Sequence, residues 1–218
     1  MNKIAFITQE QFGYHSDTYY YCKYLHDIYD IIYICWDHGL HRIEMDHVHI
    51  KYVSRNGNIF IRTFRFILSV LKVTYDKNFI IFINYFNFVS IILRVLLHKH
   101  CLIHDIRTSS VHNSKFLRTL QNTLLKFETF FFDHVTVISE NLAKKLNIAS
   151  RSHILPLGAD VISYTEKRFD RLHLLYVGTL ENRNLHVTLY GFHKFCSNCN
   201  TCIPIIYTII GSGSNNEE

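Results

Sequence analysis

The chain has 218 residues, of which 48% are hydrophobic and 15% aromatic. This composition supplies enough apolar surface for a buried core and excludes a largely disordered protein. With only 2 Pro and 8 Gly, we expect helices and strands joined by short connections, and not a turn-rich all-β fold. Lys and Arg outnumber Asp and Glu by 23 to 18, and the resulting net charge of +5 suits anionic lipid, a phosphorylated substrate or RNA equally well.

The cysteines and the N-terminal residues bear on the cellular compartment. Cys22, Cys35 and Cys101 lie in or beside apolar runs, where a reduced thiol packs as a small hydrophobic side chain. The N-terminal MNKIAFITQEQ turns polar after a few residues and lacks the pattern of a secretory signal. Both features favour a reducing, cytoplasmic setting over a disulfide-bonded one.

Short apolar runs alternate with helical periodicity through the first 160 residues. The predicted strands are 4–8, 31–35, 48–53, 79–83, 101–104, 135–138 and 152–155. The predicted helices are 17–26, capped by Ser16 or Asp17, then 59–75, 86–99, 114–132, and 139–146, capped by Ser139 or Glu140. Continuous apolar strands alternating with helices indicate a parallel sheet covered on both faces. Residues 1–160 are therefore predicted to form an α/β, Rossmann-like doubly wound domain.

A polar and charged segment, 161–171, predicts a linker to a second unit. That unit begins with a strand at 172–177, a helix at 184–195 and a strand at 203–210. Two strands and one helix cannot bury both faces of a parallel sheet. We therefore expect 172–218 to be the start of a second Rossmann-like domain, in a protein that continues past Glu218.

The apolar stretch 79–97 is long enough to be tested as a membrane span. It contains Asn84, Asn87 and Arg94, and polar side chains inside a bilayer are costly. These residues favour a buried strand followed by a helix over a membrane span.

The predicted helix 59–75 carries Arg62, Arg65 and Lys72 on roughly one side. Such a basic amphipathic helix either rests on an anionic membrane surface or packs on the core with its charges in solvent. Both interpretations stay open from the sequence.

Polar residues follow several predicted strands, at the positions where open α/β sheets bind ligands. After 101–104, His104 could act as a base or orient a hydroxyl, and Asp105 and Arg107 could bind sugar and phosphate. A strand-end salt bridge with a helix cap is the alternative. After the first strand, Gly13 would let a loop curl over a ligand. The absence of G-x-G-x-x-G weighs against a nicotinamide dehydrogenase.

Two glycine turns in the second unit are candidate phosphate sites. Gly178 would let backbone N–H groups approach a phosphate, and Arg183 would offer a bidentate cation. Gly211 and Gly213 could form another phosphate loop. The alternative for the Gly178 turn is an ordinary turn followed by an exposed Arg183. The alternative for Gly211 and Gly213 is likewise an ordinary turn.

Cys196, Cys199 and Cys202 follow one another at intervals of three residues. Thiolates at this spacing hold zinc or an iron–sulfur cluster in other proteins, but a second, distant pair is missing. We expect thiols at a surface connection and no metal.

Four segments resemble one family in order and spacing. Residues 137–146 (VISENLAKKL) resemble the V-S-E-x-L-A-x-x-L element of the group 1 glycosyltransferases, which are retaining enzymes with two Rossmann domains, the GT-B fold. Residues 155–160 (LPLGAD) resemble the interdomain element of that family. Residues 174–180 (LLYVGTL) and 209–213 (IIGSG) resemble the opening of its nucleotide-binding C-terminal domain. The region before residue 135 matches only in its pattern of strands and helices.

The resemblance implies a complete acceptor-side domain and an incomplete domain for the nucleotide-sugar. The implied reaction moves a hexose, with retention, from a nucleotide-sugar to a glycan or lipid-linked acceptor in cell-surface polysaccharide synthesis. No metal or other cofactor and no nucleic-acid partner is implied. The cysteines and the N-terminal residues predict a cytoplasmic location, and the basic helix 59–75 allows peripheral contact with the inner face of the membrane.

The resemblance also implies roles for individual residues. Arg183 takes the place of the cation that contacts the donor diphosphate, beside the turn at Gly178 and Thr179 and the glycines 211 and 213. The strand-end argument, and not the resemblance, makes His104 and Asp105 the catalytic candidates and Gly13 and Arg107 the acceptor-side candidates.

The chain also departs from the family pattern. Thr179 stands where the family often has Arg, and the E-x7-E donor element would lie beyond Glu218. We therefore expect little transferase activity from these 218 residues alone. A non-catalytic α/β binding module or degenerate pseudo-enzyme is the alternative. An epimerase is the third hypothesis, and the missing G-x-G-x-x-G counts against it.

Overall fold

The computed structural model describes residues 2–75, 78–86, 89–112, 114–161, 163–166, 170–178, 180, 183–198 and 203–211. These residues form nine strands and six helices. The chain divides into two compact units, 1–160 and 161–218.

The first unit is built on a seven-stranded parallel sheet in the order β3-β2-β1-β4-β5-β6-β7. Its strands are β1 (Asn2–Ile7), β2 (Tyr29–Asp37), β3 (Val48–Ser54), β4 (Phe79–Asn84), β5 (Cys101–Ile106), β6 (His134–Val137) and β7 (Ser152–Ile154). The chain builds outward from β1 to β3 and then returns to place β4 on the other side of β1. This reversal makes the β1–β4 boundary the topological switch point, where open α/β sheets bind ligands.

Five helices pack on this sheet: α1 (Ser16–Leu25), α2 (Ile59–Val73), α3 (Val89–Leu96), α4 (Lys115–Glu128) and α5 (Glu140–Leu146). The predicted α/β, doubly wound class is confirmed. Stretch 79–97 forms β4 and α3, although Asn87 lies outside the described residues. No helix among the described residues is long and apolar enough to span a bilayer.

Several helix ends differ from the sequence prediction by up to four residues, among them both ends of α3, predicted at 86–99 and observed at Val89–Leu96. His15, and not Ser16 or Asp17, caps α1, because its extended backbone lets the imidazole accept from the N–H of Thr18. The helix predicted to reach residue 132 ends at Glu128, and a 3₁₀ turn (Thr129–Phe131) follows it. The tighter turn directs Phe132 into the core, where it is 4% exposed.

The two faces of the sheet are covered unequally. The face under α1, which we call the α1 face, buries Phe6, Tyr33 and Phe82 beneath α1 and the loop 38–47. The opposite face holds the larger core and packs against α2, α3, α4 and α5. This asymmetry follows from right-handed crossovers, because every connection made after β3 runs in the same direction across the sheet.

The second unit consists of β8 (Leu172–Val177), α6 (Leu185–Asn198) and β9 (Ile205–Ile210). The two strands are parallel and pair from Leu172 with Ile205 to Val177 with Ile210. None of the α6 side chains is buried.

Candidate functional site

Polar side chains lie side by side at the carboxyl ends of β4, β5 and β6. The strand register pairs Asn84 with Asp105, and Asp105 with Thr136. Paired residues of neighbouring strands point to the same face of a sheet. Asp105 is fully buried, and its Oδ1 accepts a 2.6 Å hydrogen bond from Oγ1 of Thr136.

Arg107 lies over this row and is held from several sides. Its Nε donates to Oδ2 of Asp105 at 2.7 Å and lies 3.5 Å from Oδ2 of Asp17, in the first turn of α1. Its Nη1 donates to the carbonyl oxygen of Leu155 at 2.9 Å, and its guanidinium carbon is 5.3 Å from the centre of the Tyr21 ring. The contacts with α1 place this row on the α1 face and fix the orientation of one cation there.

We call Asp17, Tyr21, Asn84, Asp105 and Arg107 the carboxyl-edge cluster. Three of its polar atoms are buried without a hydrogen-bond partner among the described residues: Nη2 of Arg107, Oδ1 of Asn84 and the hydroxyl of Tyr21. Buried polar atoms of folded proteins are nearly always paired. These buried atoms keep unused hydrogen-bonding capacity, two donors and one acceptor, at the carboxyl edge of the sheet.

Burial sets the protonation behaviour of the cluster. It raises the pKa of Asp105 to about 7, and the negative charge of Asp17 adds to this rise. The hydrogen bond from Thr136 acts in the opposite direction. The 2.7 Å contact with Arg107 also stabilises the ionised carboxylate, because the cation is fixed in place.

His104 precedes Asp105 but lies on the opposite face, because successive side chains of a strand alternate. Its ring stacks on Phe132 with 4.4 Å between the ring centres. Both ring nitrogens are buried without a hydrogen-bond partner among the described residues, and burial lowers the pKa of His104 to about 3. The structure therefore does not bring the two residues predicted as catalytic together, and it gives His104 a neutral position in the core.

Gly13 shapes the loop after β1. Its φ of +87° is in the left-handed region, and a Cβ at this position would lie 2.3 Å from Cδ1 of Ile43. The neighbouring Gln11 is buried and ties the two loops together, because its Nε2 donates to the oxygen of Leu40 and its Oε1 accepts from the N–H of His38, both at 2.9 Å. Gly13 thus allows the loop after β1 to pack closely on the loop 38–47.

A cavity of about 770 Å³, which we call the α2 pocket, opens at the same edge of the sheet but on the face that carries α2 and α3. Trp36, Phe60 and Phe86 give it aromatic walls, and Arg55 and Arg62 add two cations. The sequence did not indicate this pocket, because its residues come from four separate segments.

The predicted donor residues lie in the second unit. The N–H of Gly178 donates to the oxygen of Ile210 at 3.0 Å. A Cβ on Gly211 would lie 1.9 Å from the oxygen of Gly178, so glycine is required for the ends of β8 and β9 to approach this closely. Arg183 is exposed and lies two residues before α6. Thr179 and Gly213 lie outside the described residues.

The cysteine cluster is described only at Cys196, which is partly exposed in α6. Cys199 and Cys202 lie outside the described residues. Within the described part of the chain, no group of three His, Cys, Asp or Glu residues could hold a metal ion.

No family model matches this chain, and no curated protein matches it by sequence. Solved structures do resemble it. The N-terminal domain of a trehalose-6-phosphate phosphatase from Candida albicans aligns with 98% of the chain at 12% identity and a TM-score of 0.66. The apo form of the lipopolysaccharide outer core galactosyltransferase WaaB aligns with 97% at 16% identity and a TM-score of 0.57.

Two further structures show the same likeness. An E. coli structure described as trehalose-6-phosphate bound with UDP-2-fluoro glucose aligns with 99% of the chain at 9% identity and a TM-score of 0.61. A UDP-N-acetylglucosamine 2-epimerase from Rickettsia bellii aligns with 96% at 12% identity and a TM-score of 0.53. The chain spans 61–66% of the length of these four structures. It therefore has the Rossmann-like fold of the GT-B glycosyltransferases, as the four sequence segments predicted.

Proposed function

We propose that the protein containing this chain transfers a sugar, with retention, from a nucleotide-sugar donor to a glycan or lipid-linked acceptor. The observation that carries this proposal is the alignment of 96–99% of the chain with GT-B folds, among them a galactosyltransferase and a structure bound to UDP-2-fluoro glucose. Because one fold serves many reactions, the individual residues must supply the rest of the argument.

The second unit is the proposed donor side. Because the N–H of Gly178 is bonded to Ile210, Gly178 would shape the turn, and Thr179, Gly211 and Gly213 would bring backbone N–H groups close to the donor diphosphate. Arg183 lies just before α6, so its cation and the positive end of the α6 dipole would act on the same anion. Together they would stabilise the leaving diphosphate without a metal ion.

The first unit is the proposed acceptor side. Nη2 of Arg107, Oδ1 of Asn84 and the hydroxyl of Tyr21 are suited to the hydroxyls or the charged group of an acceptor. Both carboxylate oxygens of Asp105 are already bound, so Asp105 acts as a positioning residue for Arg107. We assign His104 no contact with substrate, because it is buried on the opposite face.

The α2 helix supports a lipid-linked acceptor and peripheral contact with an anionic membrane. Phe60 and Phe64 are 81% and 62% exposed and stand one helical turn apart. Arg62, Arg65 and Lys72 lie on the same helix, and Arg62 also lines the apolar α2 pocket. The exposed phenylalanines, the exposed Lys72 and the partly exposed Arg62 and Arg65 are typical of a helix that rests on the inner face of a membrane, where cell-surface polysaccharides are assembled.

The transfer proposal can be tested with a panel of labelled UDP- and GDP-sugars and a lipid extract from the source cells. The enzyme would be the longest natural protein that contains this chain, with the 218-residue chain assayed beside it. We expect transfer by the longer protein, retention in the NMR spectrum of the product, and little turnover by the shorter chain. Arg183→Ala should reduce transfer at least about tenfold, and Arg171→Ala, an exposed arginine of the same unit, should leave it unchanged.

Absence of transfer by the longer protein, or equal activity of Arg183→Ala and the parent, would contradict the proposal. Inversion at C2 of UDP-N-acetylglucosamine without any acceptor would instead identify a sugar-nucleotide epimerase. The likeness to a 2-epimerase favours this second candidate.

Membrane contact can be tested by sedimentation with vesicles of phosphatidylglycerol and phosphatidylcholine. We expect salt-sensitive binding that is lost in Phe60→Ser/Phe64→Ser. Tyr164→Ser is the control, because Tyr164 is 90% exposed but lies outside α2. Binding that is insensitive to salt, or unchanged in the double variant, would rule out this surface.

A further inference from the structure

A second cavity in the first unit, of about 580 Å³, lies between the segment 108–112 and α4. We call it the α4 pocket. Seven α4 residues line it: Asn122, and the six residues Leu117, Leu120, Gln121, Leu124, Leu125 and Glu128. Spacings of three and four residues place these six on one face of the helix, and Asn122 lies at its margin. Leu117 and Glu128 are eleven residues apart, so the pocket extends about 16 Å along the helix axis.

The wall opposite α4 is fixed by hydrogen bonds and not left as a free loop. The N–H of Ser110 donates to Oδ1 of Asn122 at 2.8 Å, and the Ser110 hydroxyl donates to Oε1 of Gln121. Nζ of Lys145 donates to Oγ of Ser109 at 2.6 Å. These bonds tie the segment to α4 and α5, so the pocket is a built feature of the first unit.

The α4 pocket has leucines along α4 and polar side chains at several points of its wall, among them Ser110, His112 and Glu128. Leu117 and Leu120 line the end nearest the start of α4, beside the 84% exposed Val111. Glu128, Tyr85 and Thr108 line the pocket as well, and Glu128 closes the end of α4. An elongated ligand with a hydrocarbon part along the leucines and a polar group at Glu128 would match this lining.

Glu128 is the residue that indicates a ligand. It is only 4% exposed, and its Oε2 is buried without a hydrogen-bond partner among the described residues. Burial raises the pKa of Glu128 to about 7, and its place at the C-terminus of α4 also disfavours the charged form. A buried carboxyl oxygen on a pocket wall is stabilised when a ligand donates a hydrogen bond to it.

We propose that the α4 pocket binds a neutral amphipathic ligand, whose hydroxylated head group donates to Glu128 and whose hydrocarbon chain lies along Leu124 and Leu120. The described residues that line the pocket include no Lys or Arg. Nζ of Lys145 already donates to Oγ of Ser109, so an anionic head group beside Glu128 would meet a buried carboxyl with no Lys or Arg among the lining residues. This proposal depends on the pocket alone and does not require sugar transfer.

The proposal can be tested on the 218-residue chain by saturation-transfer NMR and calorimetric titration. The probes are n-octyl β-D-glucopyranoside, kept below its micelle concentration, and octanoate. We expect the glucoside to bind at least about tenfold more tightly than octanoate. Glu128→Leu should weaken glucoside binding about fivefold, the effect of one lost hydrogen bond, and Glu128→Gln should weaken it less.

Two further variants separate pocket binding from general effects. Glu140→Gln removes an exposed carboxyl from α5 and should leave the affinity unchanged. Leu120→Trp should fill the pocket and abolish binding of both probes while circular dichroism remains that of the parent. Equal affinity for the two probes, unchanged glucoside affinity in Glu128→Leu, or full binding by Leu120→Trp would overturn the proposal.

Discussion

Nε of Arg107 donates to Oδ2 of Asp105 at 2.7 Å, at the point where β5 ends. The two residues are two positions apart on an extended segment, so their side chains point to the same face of the sheet. Asp17, at the start of α1, lies 3.5 Å from the same nitrogen. This arrangement links α1 to β5 through one partly buried cation.

The first prediction concerns this ion pair. Arg107→Met leaves the buried Asp105 carboxyl without its cation, which should lower the free energy of unfolding by roughly 3 kcal/mol at pH 8. Since burial raises the pKa of Asp105, the loss should shrink at pH 5, where the carboxyl is protonated in the folded protein. Urea denaturation at both pH values measures the effect.

Arg94→Met is the matched control for this experiment. Arg94 pairs with Asp133 at 3.2 Å, but the Asp133 side chain is 39% exposed, so we expect a loss below about 1 kcal/mol at either pH. Equal stability of the two variants at pH 8 would show that the Arg107–Asp105 ion pair stabilises the fold no more than a surface pair does.

The second prediction concerns His104 and acid stability. Its imidazole has a pKa of about 3 in the folded protein, whereas an unfolded His has about 6.5. Between these values the unfolded chain binds more protons, so this residue's contribution to stability falls as the pH falls from about 6.5 towards 3. His104→Phe should remove this acid destabilisation. At pH 4.5 we expect the free energy of unfolding of the variant to exceed that of the parent by about 2.5 kcal/mol.

The comparison must be made as a difference between variant and parent, because Asp105 and Glu128 titrate in the same range with the opposite sign. At pH 8 we expect the variant to be at least as stable as the parent, since two unpaired nitrogens are removed and the stacking on Phe132 is kept. A stability difference that does not change with pH would contradict a buried neutral His104.

The third prediction separates two reasons for glycine. Gly13 and Gly39 both have a left-handed backbone, but only Gly13 has a neighbour in the way of a Cβ. Gly39→Ala should cost about 1 kcal/mol from backbone strain alone. Gly13→Ala should cost more, and Ile43→Ala in the same chain should recover part of the difference. Thermal denaturation of the three variants measures these losses of stability. Equal losses for Gly13→Ala and Gly39→Ala would disprove the steric clash between a Cβ at position 13 and Ile43.

The fourth prediction concerns helix caps. Oγ of Ser139 accepts from the N–H of Leu142, whereas the side chain of Ser114 at the start of α4 makes no cap hydrogen bond. Ser139→Ala should therefore cost about 1 kcal/mol, and Ser114→Ala should stay within about 0.5 kcal/mol of the parent. The two urea midpoints provide the comparison, and a larger loss at Ser114 would refute the assignment.

The fold was predictable from the sequence because its signals are local. Apolar runs of strand length, such as the one that became β4, alternate with helical periodicity and permit one common architecture. The errors lay at helix ends, where His15 caps α1 and the 3₁₀ turn follows α4. These ends depend on the backbone angles of a few residues, which periodicity does not specify.

The candidate site was predictable only in part. Strand ends predicted polar contacts at Asp105 and Arg107, and the structure places both in the carboxyl-edge cluster. Asn84 could have been found by the same rule, since it ends a strand that pairs with β5. Asp17 and Tyr21 could not, because nothing local connects α1 to the end of β5.

The sequence by itself therefore determined the strand–helix order, the parallel sheet and the edge of that sheet where polar groups gather, because periodicity and strand ends are properties of neighbouring residues. Only the tertiary structure decided which of those groups meet. Because side chains alternate along β5, His104 lies in the core on one face, where it stacks on Phe132. Asp105 lies on the other face, where it pairs with Arg107. The packing of α4 against the segment 108–112 likewise created a pocket around Glu128 from residues distant in the chain.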